Sequence, residues 1–137
     1  MELFETEYWQ VKLSSDQANL GKCVVVAKSE PSRLADLTDL EWTDFGKVVN
    51  RLEKAISKTF QPSHFNWKCL SNDAFNSDGS QKYAPAIHWH FMPRYATAIK
   101  IADETFVEPE FPKTVKTEKF VPDSVLAEIA EKIQNNL

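Results

Sequence analysis

The chain holds three histidines, and two of them, His88 and His90, stand two residues apart in the run Ile87-His88-Trp89-His90-Phe91-Met92. Alternation of this kind predicts a strand, whose side chains point by turns to opposite faces. His88 and His90 then share one face, while Ile87, Trp89 and Phe91 share the other. With the apolar set packed into a core, both imidazoles are held rigidly toward one pocket. Imidazole is the commonest acid/base side chain and a competent nucleophile toward phosphorus. Spacing alone leaves three readings open. The histidines decorate a solvent-facing sheet. Or they ligate a metal, with a third ligand from a carboxylate or from His64. Or they perform phosphorus chemistry, one as nucleophile and the other as proton donor.

The elements that must hold this strand can be read from pattern. Tyr8 to Leu13 alternates as a half-buried strand, Ser14 to Asn19 is turn-rich, and Gly21 to Lys28 (GKCVVVAK) restarts as a second strand. The two predict an antiparallel hairpin with a loop of about six residues. Thr38 followed by Glu41 has the spacing of a capping box, which opens a long helix. Trp42, Phe45, Val49, Leu52 and Ile56 form its predicted apolar stripe, with Asp44, Lys47, Asn50, Arg51 and Lys54 opposite. Pro62 predicts its end near Phe60. His64 to Leu70 alternates again, with Phe65, Trp67 and Cys69 on one face and His64, Asn66 and Lys68 on the other. Ser71 to Ala84 is a polar loop, long enough to suggest function. Thr97 to Val107 reads as a further strand or an irregular return, and 108–122 as an arm crossing the surface. A short helix follows from about Asp123, with Val125, Leu126, Ile129 and Ile133 as its stripe. The four tryptophans, Trp9, Trp42, Trp67 and Trp89, are expected in the core.

Composition narrows the field. A length of 137 residues with 42% hydrophobic content fits one globular domain, with a core over about residues 8–107 and the arm and helix over 108–137. Sixteen Lys and Arg against twenty Asp and Glu leave a net charge of −4, which argues against duplex-nucleic-acid or polybasic membrane binding. The three glycines are Gly21, Gly46 and Gly79, too far apart for either glycine-rich nucleotide-binding motif. Cys23 and Cys69 form no metal or redox spacing and read as small core residues. The acidic start MELFETEYWQ has no apolar segment of the signal-peptide kind, and no run is long enough to span a bilayer. The expectation is a reduced, cytoplasmic protein.

The run Pro85-Ala86-Ile87-His88-Trp89-His90-Phe91-Met92-Pro93-Arg94-Tyr95 resembles the signature of the histidine triad (HIT) superfamily, His-x-His-x-His followed by apolar residues and often Pro-Arg-Tyr. Leu20-Gly21-Lys22-Cys23-Val24-Val25 resembles that family's Gly-His-apolar strand. Leu34 to Trp42 resembles the opening of its long helix, and Asn66 to Asn72 the strand and turn before its histidine motif. The similarity runs from about Tyr8 to Tyr95 and continues weakly through Glu104-Thr105-Phe106. It implies an α+β fold: an antiparallel sheet of about five strands, one long helix packed on it, and a C-terminal helix. It also implies a homodimer.

By the same resemblance His88 is the central histidine, which attacks an α-phosphorus and becomes nucleotidylated, and His90 is the last, which assists the leaving group. Asn72 falls where the family places an amide on the phosphate or leaving group, and Ser14 where a ribose contact is usual. The chain departs from the pattern at three places. Ala86 replaces the first histidine, Lys22 stands where a fourth histidine is common, and Gln81-Lys82-Tyr83 replaces Gly-Gln-Ser/Thr before the triad. The resemblance has the central imidazole donate from Nδ1 to the backbone carbonyl of the first position, which Ala86 retains. Lys22, Lys82 and Arg94 are candidates to meet phosphate charge, and Arg94 with Tyr95 to shape the strand end or a subunit contact. The implied function is hydrolysis or nucleotidyl transfer on a nucleoside phosphoramidate, dinucleoside polyphosphate or sugar nucleotide. No cofactor is obligatory, although a divalent cation can accompany a polyphosphate. The rival is a nucleotide-binding module whose catalysis has decayed.

Overall fold

The computed structural model describes residues 1–137. Seven strands and two long helices form: β1 (Glu2–Glu5), β2 (Trp9–Leu13), β3 (Cys23–Ala27), α1 (Asp39–Phe60), β4 (His64–Lys68), β5 (His88–Arg94), β6 (Ile99–Ile101), β7 (Glu104–Phe106) and α2 (Asp123–Gln134). Short 3₁₀ turns lie at Leu34–Asp36 and Asn72–Ala74. The main sheet is antiparallel with strand order β1-β2-β3-β5-β4, and β6 and β7 pair separately. The α+β architecture with a five-stranded antiparallel sheet is therefore as expected, but its membership differs. β1 was not anticipated, and the 97–107 segment forms its own two-stranded ribbon instead of a fifth sheet strand. β1 escapes the pattern because its buried residues, Leu3 and Phe4, are adjacent, and a register irregularity between Glu2 and Phe4 breaks the two-residue period. The connection from β2 to β3 is also longer than about six residues, running from Ser14 to Lys22. At Gly21 the chain needs φ of +81°, and a Cβ there would meet Ile56 at 3.0 Å.

Helix α1 opens on the anticipated capping box. Thr38 Oγ1 accepts from the Glu41 amide at 3.2 Å, and the Thr38 amide donates to Glu41 Oε1 at 3.1 Å. The helix ends at Phe60, one left-handed residue before Pro62. Its buried face is rotated from the expected stripe. Val48, Leu52, Ala55 and Ile56 are fully buried, whereas Trp42 is 39% exposed. Asp44, expected on the solvent side, is buried because its Oδ2 accepts from Thr6 Oγ1 at 2.6 Å and the Tyr8 amide at 2.9 Å, tying α1 to the β1–β2 turn. Trp9 is wholly buried and donates from its indole to the Glu41 carbonyl at 2.8 Å. Helix α2 packs on α1 and β1 through Val125, Ile129, Ala130 and Ile133. Both helices thus cover one side of the sheet.

That arrangement sets the stage for β5. Phe91 is fully buried, with Trp67 at 4.6 Å and Phe65 at 5.3 Å between ring centroids, while Trp89 stacks on Phe45 of α1 at 5.1 Å. Each buried aromatic contributes a large apolar area and a fixed orientation. The alternate residues His88, His90, Met92 and Arg94 must face away from α1. No helix is long and apolar enough to cross a membrane.

Candidate active site

His88 and His90 lie side by side on the sheet face turned away from α1, with ring centroids 5.1 Å apart and planes at 77°. The start of β5 is pinned to its neighbours by the Ile87 amide donating to the Pro31 carbonyl at 2.8 Å and the Ala27 amide donating to Ile87 at 3.3 Å. His88 Nδ1 sits 2.9 Å from the Ala86 carbonyl oxygen. A carbonyl can only accept, so Nδ1 carries the hydrogen and Nε2 keeps its lone pair. The backbone at position 86 therefore orients the ring although the side chain there is a methyl.

The two imidazoles open onto a cleft of about 340 Å³ whose lining also includes Ser71, Asn72, Asp73, Tyr83 and Ala86. Asn72 reaches it because Ser71 adopts the left-handed conformation, φ of 55°, which turns the chain sharply out of β4. Such a backbone is costly for a non-glycine residue and is held by its surroundings. The loop beyond is not loose. Lys82 donates from its amide to the Ala74 carbonyl at 2.8 Å and Asn76 to Ser80 at 2.8 Å, folding Phe75 against Gln81 as an isolated bridge.

Of the residues singled out from sequence, the structure gathers His88, His90 and Asn72 around the cleft. Lys22, Ser14, Gln81 and Lys82 are not among its lining residues. Lys22 is turned to Asp16, with Nζ 2.5 Å from Oδ2, and Ser14 Oγ accepts from the Asp16 amide at 3.2 Å. Gln81 and Lys82 are exposed at the base of the folded loop. Arg94 cannot meet substrate charge freely, since it is 4% exposed and its Nε bonds Glu108 Oε1 at 2.7 Å. His64 pairs across the strands with Arg94, whereas Lys68 pairs with His90. That separates His64 from His90 by four residues, about 13 Å of strand, so it cannot complete a metal site with them.

Lys68 is the cation that sequence reading left unassigned. Alternation places it on the polar face of β4, but only the strand register reveals that it stands directly across from His90. Burial, then the neighbouring His88 imidazole and the positive charges of Lys22 and Lys68, lowers the His90 pKa below the usual 6.5, against an opposing pull from Asp73. The His90 ring is accordingly biased toward its neutral form in the free protein. In an NMR titration its midpoint should fall below that of a free imidazole, and Lys68→Met should move it upward; an unchanged midpoint would disprove the coupling. The folded ring binds its proton less readily than the unfolded one. His90 therefore contributes stability that is lost as pH falls from about 6.5 through the lower folded value.

No family model matches the sequence, and no curated protein matches it. Solved structures do. A histidine triad (HIT) protein from Sinorhizobium meliloti 1021 superposes with a TM-score of 0.73 at 17% identity, covering 100% of this chain and 89% of that one. A Hit-like protein from Bartonella henselae, described as involved in cell-cycle regulation and holding an unknown ligand, gives 0.66 at 21% identity over 100% and 86% of the two chains. The fold is that of the histidine triad proteins. A third structure with it, diadenosine triphosphate hydrolase from Plasmodium falciparum bound to cyclomarin A, matches at 0.62 and 16% identity over 98% of this chain and 74% of that one. At such identities the histidine triad likeness establishes architecture, and the chemistry must be argued from the cleft itself.

Proposed function

We propose that the chain is a nucleotide hydrolase or nucleotidyl transferase acting at the α-phosphorus of a nucleoside phosphoramidate, dinucleoside polyphosphate or sugar nucleotide. The observation that supports this most is the 2.9 Å contact of His88 Nδ1 with the Ala86 carbonyl, because it leaves Nε2 nucleophilic without a first histidine. His88 Nε2 bonds to phosphorus while the bond from phosphorus to the leaving oxygen or nitrogen breaks. His90 gives that atom a proton. Water then attacks the phosphorus, returns a proton to His90, and breaks the N–P bond to release nucleoside monophosphate and free His88. An anionic phosphate docking beside His90 opposes the positive charges around it and draws a proton onto the ring as substrate binds. Asn72 would bond a phosphate oxygen or the leaving group at the cleft mouth.

Losing the first imidazole removes support for His88. Losses of supporting residues cost about 10–100-fold around metals, and a loss of that order is expected for His88. The reading carries with it a homodimer, a cytoplasmic setting and no obligatory metal. The test is release of nucleoside monophosphate from a panel of the three substrate classes by metal-stripped protein. Release supports the hydrolase. Tight binding of nucleoside monophosphate without release of any product would favour the decayed binding module, a reading aided by the pairing of Lys22 with Asp16 and the outward placement of Gln81 and Lys82.

A further inference from the structure

The histidine-bearing face carries a second cavity of about 310 Å³, with Asn19, Asn66, Lys68, Met92, Arg94 and Thr114 in its wall. Lys68 pairs across the strands with His90, and Asn66 with Met92, so these side chains share the face of the two imidazoles. His90 lines the first cleft and Lys68 the second, which places the two cavities on either side of one cross-strand pair. Trp67 and Val115 complete the wall, and Lys68 and Asn19 offer it unengaged donors. Lys68 is half-buried and takes part in none of the ion pairs of the fold. Asn19 is 5% exposed, and its amide Nδ2 has no acceptor. A buried N–H without a partner is costly, and a turn of the Asn19 side chain toward the cavity would let a ligand oxygen relieve it. Arg94 adds no net charge, because Glu108 neutralises it and its Nη1 is taken by Asn66 Oδ1 at 2.7 Å. The unbalanced charge at the cavity is thus the single ammonium of Lys68.

We propose that this second cavity is an oxyanion subsite that takes a further phosphate of the substrate, beyond the phosphorus attacked by His88, held by Lys68 and the Asn19 amide. The subsite rests on the proposed nucleotide chemistry for its purpose but not for its detection. It selects for polyphosphate-bearing substrates. It disfavours phosphoramidates whose leaving group is a cationic amine, which Lys68 would repel.

Inorganic tripolyphosphate is the probe, titrated into the whole protein and followed through the side-chain amide resonances of Asn19 and Asn72. The Asn19 amide should shift on binding. Lys68→Gln should weaken affinity by about tenfold or more, since it removes a charge-assisted contact, and Asn19→Asp should weaken it further by facing the anion with a carboxylate. Lys68 is only half-buried, so its variant decides the matter even if the Asn19 variant fails to fold. Shifts confined to Asn72, or an unchanged affinity in Lys68→Gln, would overturn the proposal. Binding is read here without turnover. Tripolyphosphate bound at Asn19 by a protein that releases no nucleoside monophosphate would therefore keep the subsite while removing the His88 mechanism.

Discussion

His88→Asn should lower kcat by at least about 10³-fold, because an amide cannot replace the nucleophile and His90 beside it is placed for the leaving group. The amide is close in size and stays on a strand whose opposite face is packed by Ile87, Trp89 and Phe91, so the fold should survive. Affinity for nucleoside monophosphate should change by less than about tenfold, since the cleft wall from Ser71 to Ala86 is untouched. The two readouts together separate loss of chemistry from loss of the site. Retained turnover in this variant would refute a covalent role for His88. His90→Asn should be milder with a dinucleoside polyphosphate, because a phosphate leaving group of low basicity departs with little need of a proton.

Glu108→Gln should destabilise the protein by about 3–5 kcal/mol, a large share of a domain's total stability. Arg94 and Glu108 have side chains only 4% and 3% exposed, and their ion pair spans 2.7 Å. Both carboxylate oxygens are occupied, Oε1 by Arg94 Nε and Oε2 by the Tyr95 amide at 2.7 Å. The guanidinium is further spread over the carbonyls of Pro112 at 3.3 Å and Lys113 at 2.5 Å, which anchors the arm to the end of β5. Neutralising Glu108 leaves a buried cation whose remaining partners are uncharged. The double variant Arg94→Met/Glu108→Met should lose less than Glu108→Gln alone, since an apolar pair avoids the unpaired charge. Urea unfolding midpoints of the three proteins decide this. Equal stability of Glu108→Gln and the unmodified chain would show that the pair contributes only shape.

The strand that carries the two histidines and the start of α1 are legible in the sequence, and the reasons are local. The histidine strand is an alternating run flanked by prolines, and the capping box of α1 needs only Thr38 and Glu41 at the right spacing. What sequence could not supply is pairing. Lys68 was assigned to the correct face, but its place opposite His90 follows from a register set elsewhere in the sheet. Lys22 was a reasonable phosphate contact until Asp16, held by the amides of Ala18 and Lys119, took its ammonium. The Lys119 bond comes from the C-terminal arm, 103 residues away in sequence, and no local pattern announces it. The stripe of α1 was displaced for a related reason. Asp44 and Glu41 are buried because they cap and tie neighbouring segments, so hydrophobicity alone misjudges which face points inward.

A covalent bond between His88 and phosphorus is the centre of the proposed reaction, and it can be sought directly. Protein mixed with a dinucleoside triphosphate and quenched within its first turnovers should yield, by mass spectrometry, a peptide in which His88 carries one nucleoside monophosphoryl group. The adduct should survive base and be lost in acid, as a phosphorus–nitrogen bond requires. Steady release of nucleoside monophosphate with His88 unmodified at every quench time, or the same group found on another residue, would contradict the mechanism.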